Sequence, residues 1–258
     1  MDRHDKKRIL LKIGTNVLTK ESEYISRGKI EDIARQIKLL TADYEFILVS
    51  SGAIAAAKQF VQLESNGEEI NVKQALASIG QPHLMRIFQE NFRELGLLTS
   101  QCLLSYSDFE KEQSRKNIVN TINVLVANNY IPIINENDTV ATDEIKFGDN
   151  DKLAALTAVL LSVDLLVIGT NTDGVYTRKS LQHGKPQTVR ETSDILEIEK
   201  EVISACSSQG TGGMHSKIKA AQIAQAAGIE TWIVNGLEDR FLIKAMNKTT
   251  VFTKITTP

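Results

Sequence analysis

Cysteine is nearly absent from this chain: two of its 258 residues, Cys102 and Cys206, carry a thiol, and they lie too far apart for a CxxC pair. That excludes a disulfide framework and a cysteine-built zinc site, and it fits a reducing compartment. Histidine is scarce too. His4, His83, His183 and His215 show no ligand spacing, and neither GxSxG nor HExxH occurs, so a serine-hydrolase elbow and a zinc-peptidase helix are excluded. There is no excess of basic charge. A formal net charge of -2 argues against a general nucleic-acid binder, which needs a cationic face to displace counterions.

Proline is also rare, with four in the chain, and no Pro/Ser-rich linker or fixed-period repeat divides it. A single domain over residues 1–258 is therefore expected, its two functional halves meeting near Gly148. The one long apolar run, Leu153 to Thr170, is interrupted by Asp164, which would cost about 2.5 to 3.5 kcal/mol inside a bilayer. A buried helix running into a buried strand is expected there instead. The polar start, Met1 to Lys7, lacks the apolar stretch and small-residue cleavage site of a signal peptide, so cytoplasmic residence without membrane association is expected.

The residues that are present alternate between two periods. Arg8 to Ile13, Phe46 to Val49, Leu97 to Leu104, Ile131 to Ile134, Leu165 to Ile168 and Thr231 to Val234 read as short apolar strands. Between them, Ile30, Ile33, Ile37 and Leu40 recur at helical spacing behind Ser26 as N-cap, and helices are expected from Pro82 to Leu95, with proline in the first turn, and around Asn117 to Asn128, Asp151 to Leu161 and His215 to Ala227. This alternation predicts an α/β fold, a three-layer αβα sandwich around a mainly parallel sheet, with ligands beyond the carboxyl ends of the strands.

Those strand ends carry polar clusters: Lys12-Ile13-Gly14-Thr15, Ser50-Ser51-Gly52-Ala53, Asn135-Glu136-Asn137-Asp138 and Thr170-Asn171-Thr172-Asp173-Gly174. Turn chemistry explains any one of them. Four together, one led by a lysine inside an apolar strand, point to a ligand. Lys12 among Ile9, Leu10, Leu11 and Ile13 needs a counter-charge if buried, and a phosphate beside the accessible backbone at Gly14 would supply it. Gly210 to Lys217 (GTGGMHSK) opens a helix whose free N–H groups attract an anion, although its spacing is not that of a P-loop. Asp149-Asn150-Asp151 begins another helix; capping explains one of these side chains, but three beside Asn135 to Asp138 point to a site for a cation, either a metal or an ammonium.

Taken in order, KIGTNVLT, VSSGAIAA, ASIGQ, INENDTVA, KFGDND and GTGGMHSK resemble the glutamate 5-kinases of the amino-acid kinase superfamily, from Lys7 to about Gly236. The resemblance implies transfer of phosphate from ATP, accompanied by Mg²⁺, to the side-chain carboxylate of L-glutamate, the first step toward proline. It implies that Lys12 and Lys217 neutralise the travelling phosphoryl group and that Asp151 orients them. Ser51, Gly52, Asn135, Asp138, Asp149 and Asn150 would bind glutamate on the N-terminal side of residue 148. Lys12, Gly14, Thr15, Thr170, Asn171, Thr211, Gly212, Gly213, Met214, His215, Ser216 and Lys217 would bind the nucleotide, and no dedicated protein metal site is implied. It further implies a homo-oligomer, dimer or tetramer, inhibited by proline. Many members carry an additional C-terminal RNA-binding-like module; the expectation for this chain, which stops at Pro258, is the kinase core without it. A sister kinase of the acetylglutamate or uridylate type shares the phosphate loops, and a non-catalytic sensor of amino acid or nucleotide is the rival from another class.

Overall fold

A computed structural model of the chain describes residues 6–61, 69–140, 150–203 and 213–257. Within them the chain runs β1 (Lys7–Ile13), α1 (Thr15–Thr19), α2 (Arg27–Leu40), β2 (Tyr44–Ser50), α3 (Ala53–Lys58), α4 (Ile70–Glu94), β3 (Leu98–Leu104), α5 (Tyr106–Glu110), α6 (Glu112–Ala127) and β4 (Tyr130–Glu136). It continues through α7 (Asp151–Leu160), β5 (Leu165–Thr170), α8 (Arg178–Gln182), β6 (Glu191–Thr192), α9 (Ile195–Ile203), α10 (Met214–Ala226), β7 (Glu230–Asn235), α11 (Phe241–Met246) and β8 (Thr253–Ile255). The strands form one sheet in the order β3-β4-β2-β1-β5-β7-β8-β6, parallel throughout except where β8 runs against β7.

The period of two along β1 sorts the core into layers. Ile9, Leu11 and Ile13 join the cluster that includes Ile33, Ile37, Leu84 and Phe88 from α2 and α4. Leu10 turns the other way, with Ile47, Val49, Leu166 and Ile168, against Leu153 and Ala154 of α7 and Ala220 and Ala224 of α10. Lys12 is even-numbered, so it belongs to the face shared with α7 and α10. Its neighbours in the sheet are Val49 and Ile168. Because β1 connects onward to one side of the sheet and its other neighbour is β5, the carboxyl ends of β1 and β5 form the crevice where such sheets take ligands.

One expectation needs correction. Helix α4 begins at Ile70, so Pro82 lies in its interior and not in a first turn. The buried positions Val72, Leu76, Ala77, Gly80, Leu84, Met85, Phe88 and Phe92 keep helical spacing straight through the proline, and their burial outweighs the one backbone hydrogen bond that the ring forfeits. Gly80 is required by contact: a Cβ there would stand 1.8 Å from the Ala53 carbonyl oxygen, so α3 and α4 touch backbone to backbone. Two strands at the far edge of the sheet were not anticipated from the sequence. Strands β6 and β8, of two and three residues, are too short to carry a periodic signal.

The Leu153 to Thr170 run is, as expected, the buried helix α7 followed by the buried strand β5, with Asp164 exposed between them and accepting the Arg8 backbone N–H at 2.7 Å. Ser26 caps α2, its side chain accepting from the Lys29 amide. Among the described residues no helix is long and apolar enough to cross a membrane.

Candidate functional site

Lys12 is 3% exposed, at the penultimate position of β1, and its Nζ lies 2.5 Å from Asp151 Oδ1. Lys217, in the first turn of α10, reaches the other oxygen of the same carboxylate at 2.9 Å, and Ser216 Oγ donates to that oxygen at 3.0 Å. Asp151 is fully buried and opens α7, where the helix dipole also favours an anion. Residues separated by some 200 positions in the chain thus converge on one carboxylate. The backbone approaches this centre closely at Gly14, where an added Cβ would come within 3.3 Å of Lys12 Nζ. An anion can therefore lie against both the loop amides and the ammonium.

Beside this centre, a cavity of about 450 Å³ opens, with Thr15, Asn16, Ser51, Gly52, Asn135 and Asp138 among its lining. Gly52 supplies the positive φ of +103° that turns β2 into α3 and leaves Ser51 at the cavity wall. Asp138 is pushed up to about 6, first by burial and then by the neighbouring Glu136 carboxylate. A carboxyl held that high is poised to gain a cationic partner. Two cations, Lys58 and Lys73, also line the cavity, as do Thr19, Ser22 and Glu23.

Asn150 sits where a capping residue would, at the head of a helix. It occupies the N-cap of α7, but its side chain makes no cap bond there. Its amide nitrogen donates instead to the Ser50 carbonyl at 2.8 Å and to Asn135 Oδ1 at 2.7 Å. Asn135 in turn donates to Gln81 of α4 at 2.8 Å. Gln81 and its partner Gln101 were not singled out by the sequence, because Gly80 and Pro82 disguise the helix that carries Gln81. The signal that could have found it was its place in ASIGQ, one of the segments that carry the family resemblance.

The sequence-chosen residues therefore assemble unevenly. Lys12, Asp151, Ser216 and Lys217 come together, and Ser51, Gly52, Asn135, Asp138 and Asn150 form or adjoin the cavity. Thr15, assigned to the nucleotide, lines the same cavity as Ser51. Thr170 ends β5, buried, and its carbonyl accepts the Gly236 amide at 2.7 Å. Asn171 is exposed and its side chain donates to Glu21 at 3.0 Å. Gly213 is the N-cap of α10, Met214 packs against an apolar cluster that includes Val175, Ile195, Ile218 and Ile233, and His215 is half-buried. Asp149, Thr211 and Gly212 lie outside the described residues, as do Gly148 and Cys206. No group of three or more His, Cys, Asp or Glu among the described residues has the geometry to hold a metal ion.

Comparison with known proteins places this geometry. A model of the amino acid kinase family matches residues 7–235. A glutamate 5-kinase of Streptococcus pneumoniae (strain Hungary19A-6) is 40% identical over 251 residues, which is 94% of this chain and 66% of that protein. The chain thus spans just under two thirds of that relative's length. Among solved structures, carbamate kinase from Giardia lamblia bound to AMP-PNP aligns with a TM-score of 0.68 at 16% identity, covering 98% of this chain and 99% of its own. UMP kinase from Ureaplasma parvum aligns at 0.66 and 16%, with the same coverage. At such identity the two structures speak to the fold, which is that of these kinases.

Proposed function

The chain belongs to the amino acid kinase family, and we propose that it transfers the terminal phosphoryl group of ATP to the side-chain carboxylate of free L-glutamate. The observation that carries this reading is the pair of buried lysines held on one carboxylate beside an amino-acid-sized cavity with its own acidic group. The name glutamate 5-kinase on relatives such as that of Streptococcus pneumoniae supports the choice of acceptor.

The chemistry asks little of the protein beyond placement. A carboxylate is already a nucleophile at neutral pH, so one of its oxygens attacks the γ-phosphorus as the bond to the ADP oxygen breaks, and no proton moves. Charge builds on the phosphoryl oxygens, where the Lys12 and Lys217 ammoniums are already aimed and desolvated. Asp151 holds both in place. The N-terminus of α10, from Gly213, and the loop at Gly14 offer amides to the phosphates; Thr170, Asn171 and residues 211–217 complete the nucleotide side. Mg²⁺ would arrive with the nucleotide and would offset its phosphate charge, since both Asp151 oxygens already face lysines. On the acceptor side, Asp138 and Asn150 take the α-ammonium, and Lys58 and Lys73 face the α-carboxylate. With this reading go a homo-oligomer, inhibition by proline and residence in the cytoplasm.

Incubation with MgATP and hydroxylamine tests the acceptor directly, because an acyl phosphate is trapped as its hydroxamate. Hydroxamate is expected with glutamate and with neither aspartate nor N-acetylglutamate, whose masked nitrogen carries no charge for Asp138 to hold. Equal product from the acetylated and free amino acids would remove the assignment.

The pH dependence has a definite sign. Asp138 must be ionised to hold an ammonium, and its carboxyl sits at about 6. The KM for glutamate should accordingly rise as pH falls through that value, while a bound ammonium stabilises the ionised form above it. Steady-state KM measured between about pH 5 and pH 8 checks this, and Asp138→Asn should have a raised but flat profile. A wild-type KM that is level across the range would discount Asp138 as the ammonium partner.

A further inference from the structure

A line of side-chain amides crosses from the outer strand β3 to the head of α7. Gln81 Nε2 donates to Gln101 Oε1 at 3.1 Å, Asn135 Nδ2 donates to Gln81 Oε1 at 2.8 Å, and Asn150 Nδ2 donates to Asn135 Oδ1 at 2.7 Å. Two backbone groups set the direction of this line. The Ser50 carbonyl can only accept, so it must face Asn150 Nδ2, at 2.8 Å. The Glu136 N–H can only donate, so it must face Asn135 Oδ1, at 2.9 Å. With those ends fixed, Asn135 presents its nitrogen to Gln81, and Gln81 must answer with oxygen.

We infer that Gln81 is a positioning residue for the acceptor: by accepting from Asn135 it locks the Asn135 amide, and through it Asn150, in the one orientation that receives the substrate. The inference rests on the phosphotransfer reading given above. Asn150 is fully buried, both its amide protons are spent on Ser50 and Asn135, and its Oδ1 has no donor among the described residues. A buried carbonyl oxygen without a donor is costly, and it is matched by an N–H brought by a ligand. An amino acid's ammonium is such a donor. Were the Asn135 amide to turn over, its NH₂ would face the Asn150 NH₂ and the Glu136 N–H, and Asn150 would lose the partner that holds its oxygen in place.

Helix α4 explains why Gln81 can do this. Gly80 lets α4 press against the backbone of α3, directly after the Ser51-Gly52 turn, and Gln81 is thereby brought within reach of β4. Gln81 is buried, and it touches Asn135 without being part of the phosphoryl centre.

The test uses the full chain and four variants, one of them double. Gln81→Met keeps length and helix preference but cannot donate and offers only a weakly accepting sulfur in place of the amide oxygen. It should raise the KM for glutamate about tenfold or more, a typical consequence of unpairing a buried amide, while the KM for ATP stays within about twofold. Gln81→Glu should remain within about threefold of wild type, because either protonation state keeps an oxygen for Asn135 Nδ2 and the exposed Gln101 amide can turn to suit. In Asn150→Ala, adding Gln81→Met should raise the glutamate KM no further. Calorimetric titration with glutamate alone gives the same comparison without turnover, and thermal midpoints report folding. If Gln81→Met shifts both substrates alike, or if Gln81→Glu fails as badly while remaining folded, the inference is overturned and the phosphotransfer reading stands. If wild type forms no hydroxamate from glutamate, that reading falls and takes the inference with it.

Discussion

Lys217→Ala is expected to bind ATP within a few-fold of wild type and to turn over roughly thirty- to a thousand-fold more slowly, a loss of about 2 to 4 kcal/mol of barrier stabilisation. The argument is one of differential binding. The ammonium is anchored on Asp151 at 2.9 Å before any substrate arrives, so it needs little rearrangement as charge moves onto the phosphoryl oxygens. On the proposed reading ATP would keep its other contacts, with Lys12 and with the loop and helix amides, so the ground state should suffer less than the transition state. The variant should fold, because Asp151 retains Lys12 as its counter-ion. The decisive pair of measurements is kcat from hydroxamate formation and the ATP dissociation constant from calorimetry. Turnover near that of wild type, or a loss confined to affinity, rules out the assigned role.

Asp151→Ala attacks stability as well as chemistry. Its removal leaves two ammonium groups, on side chains 4% and 11% exposed, without the carboxylate that both of them face. Breaking such a buried pair costs about 3 to 5 kcal/mol, and the lower end applies because the cleft admits some water to Lys217. For a domain of this size that lowers the thermal midpoint by roughly 10 °C. An anion supplied from outside should repair part of the damage: pyrophosphate or ATP is expected to raise the midpoint of the variant by more than it raises that of wild type. Equal shifts in the two proteins would mean that the lysines do not converge on the phosphates.

The site was legible where a residue contradicted its surroundings. Lys12 stands out because its neighbours Ile9, Leu10, Leu11 and Ile13 are all apolar, and the period of two then assigns it to the Leu10 face, toward α7 and α10. Lys29 carries the opposite lesson. It is fully buried, with its ammonium 3.0 Å from Asp32, 2.7 Å from the Glu238 carbonyl and 5.1 Å above the Phe241 ring, and burial pushes its pKa down. In sequence it is an ordinary lysine in the first turn of an amphipathic helix. Only the packing of α11 and the preceding loop over α2 encloses it, and that depends on residues two hundred positions away. Asn150 was readable as polar but not as a link between strands, because capping and cross-sheet bonding call for the same residue type. Gln81 was hidden for a different reason. Glycine and proline on either side of it look like punctuation, whereas here one permits close helix contact and the other is absorbed by a long buried stripe.

The two oxygens of Asp151 give the centre a mechanical property as well as an electrical one. Each oxygen faces a different lysine, so a swing of the carboxylate about its own torsions would disturb both contacts at once. The pair is geared. A substitution that retunes the reach of one arm must retune the other, which leaves few small steps by which such a clamp can drift.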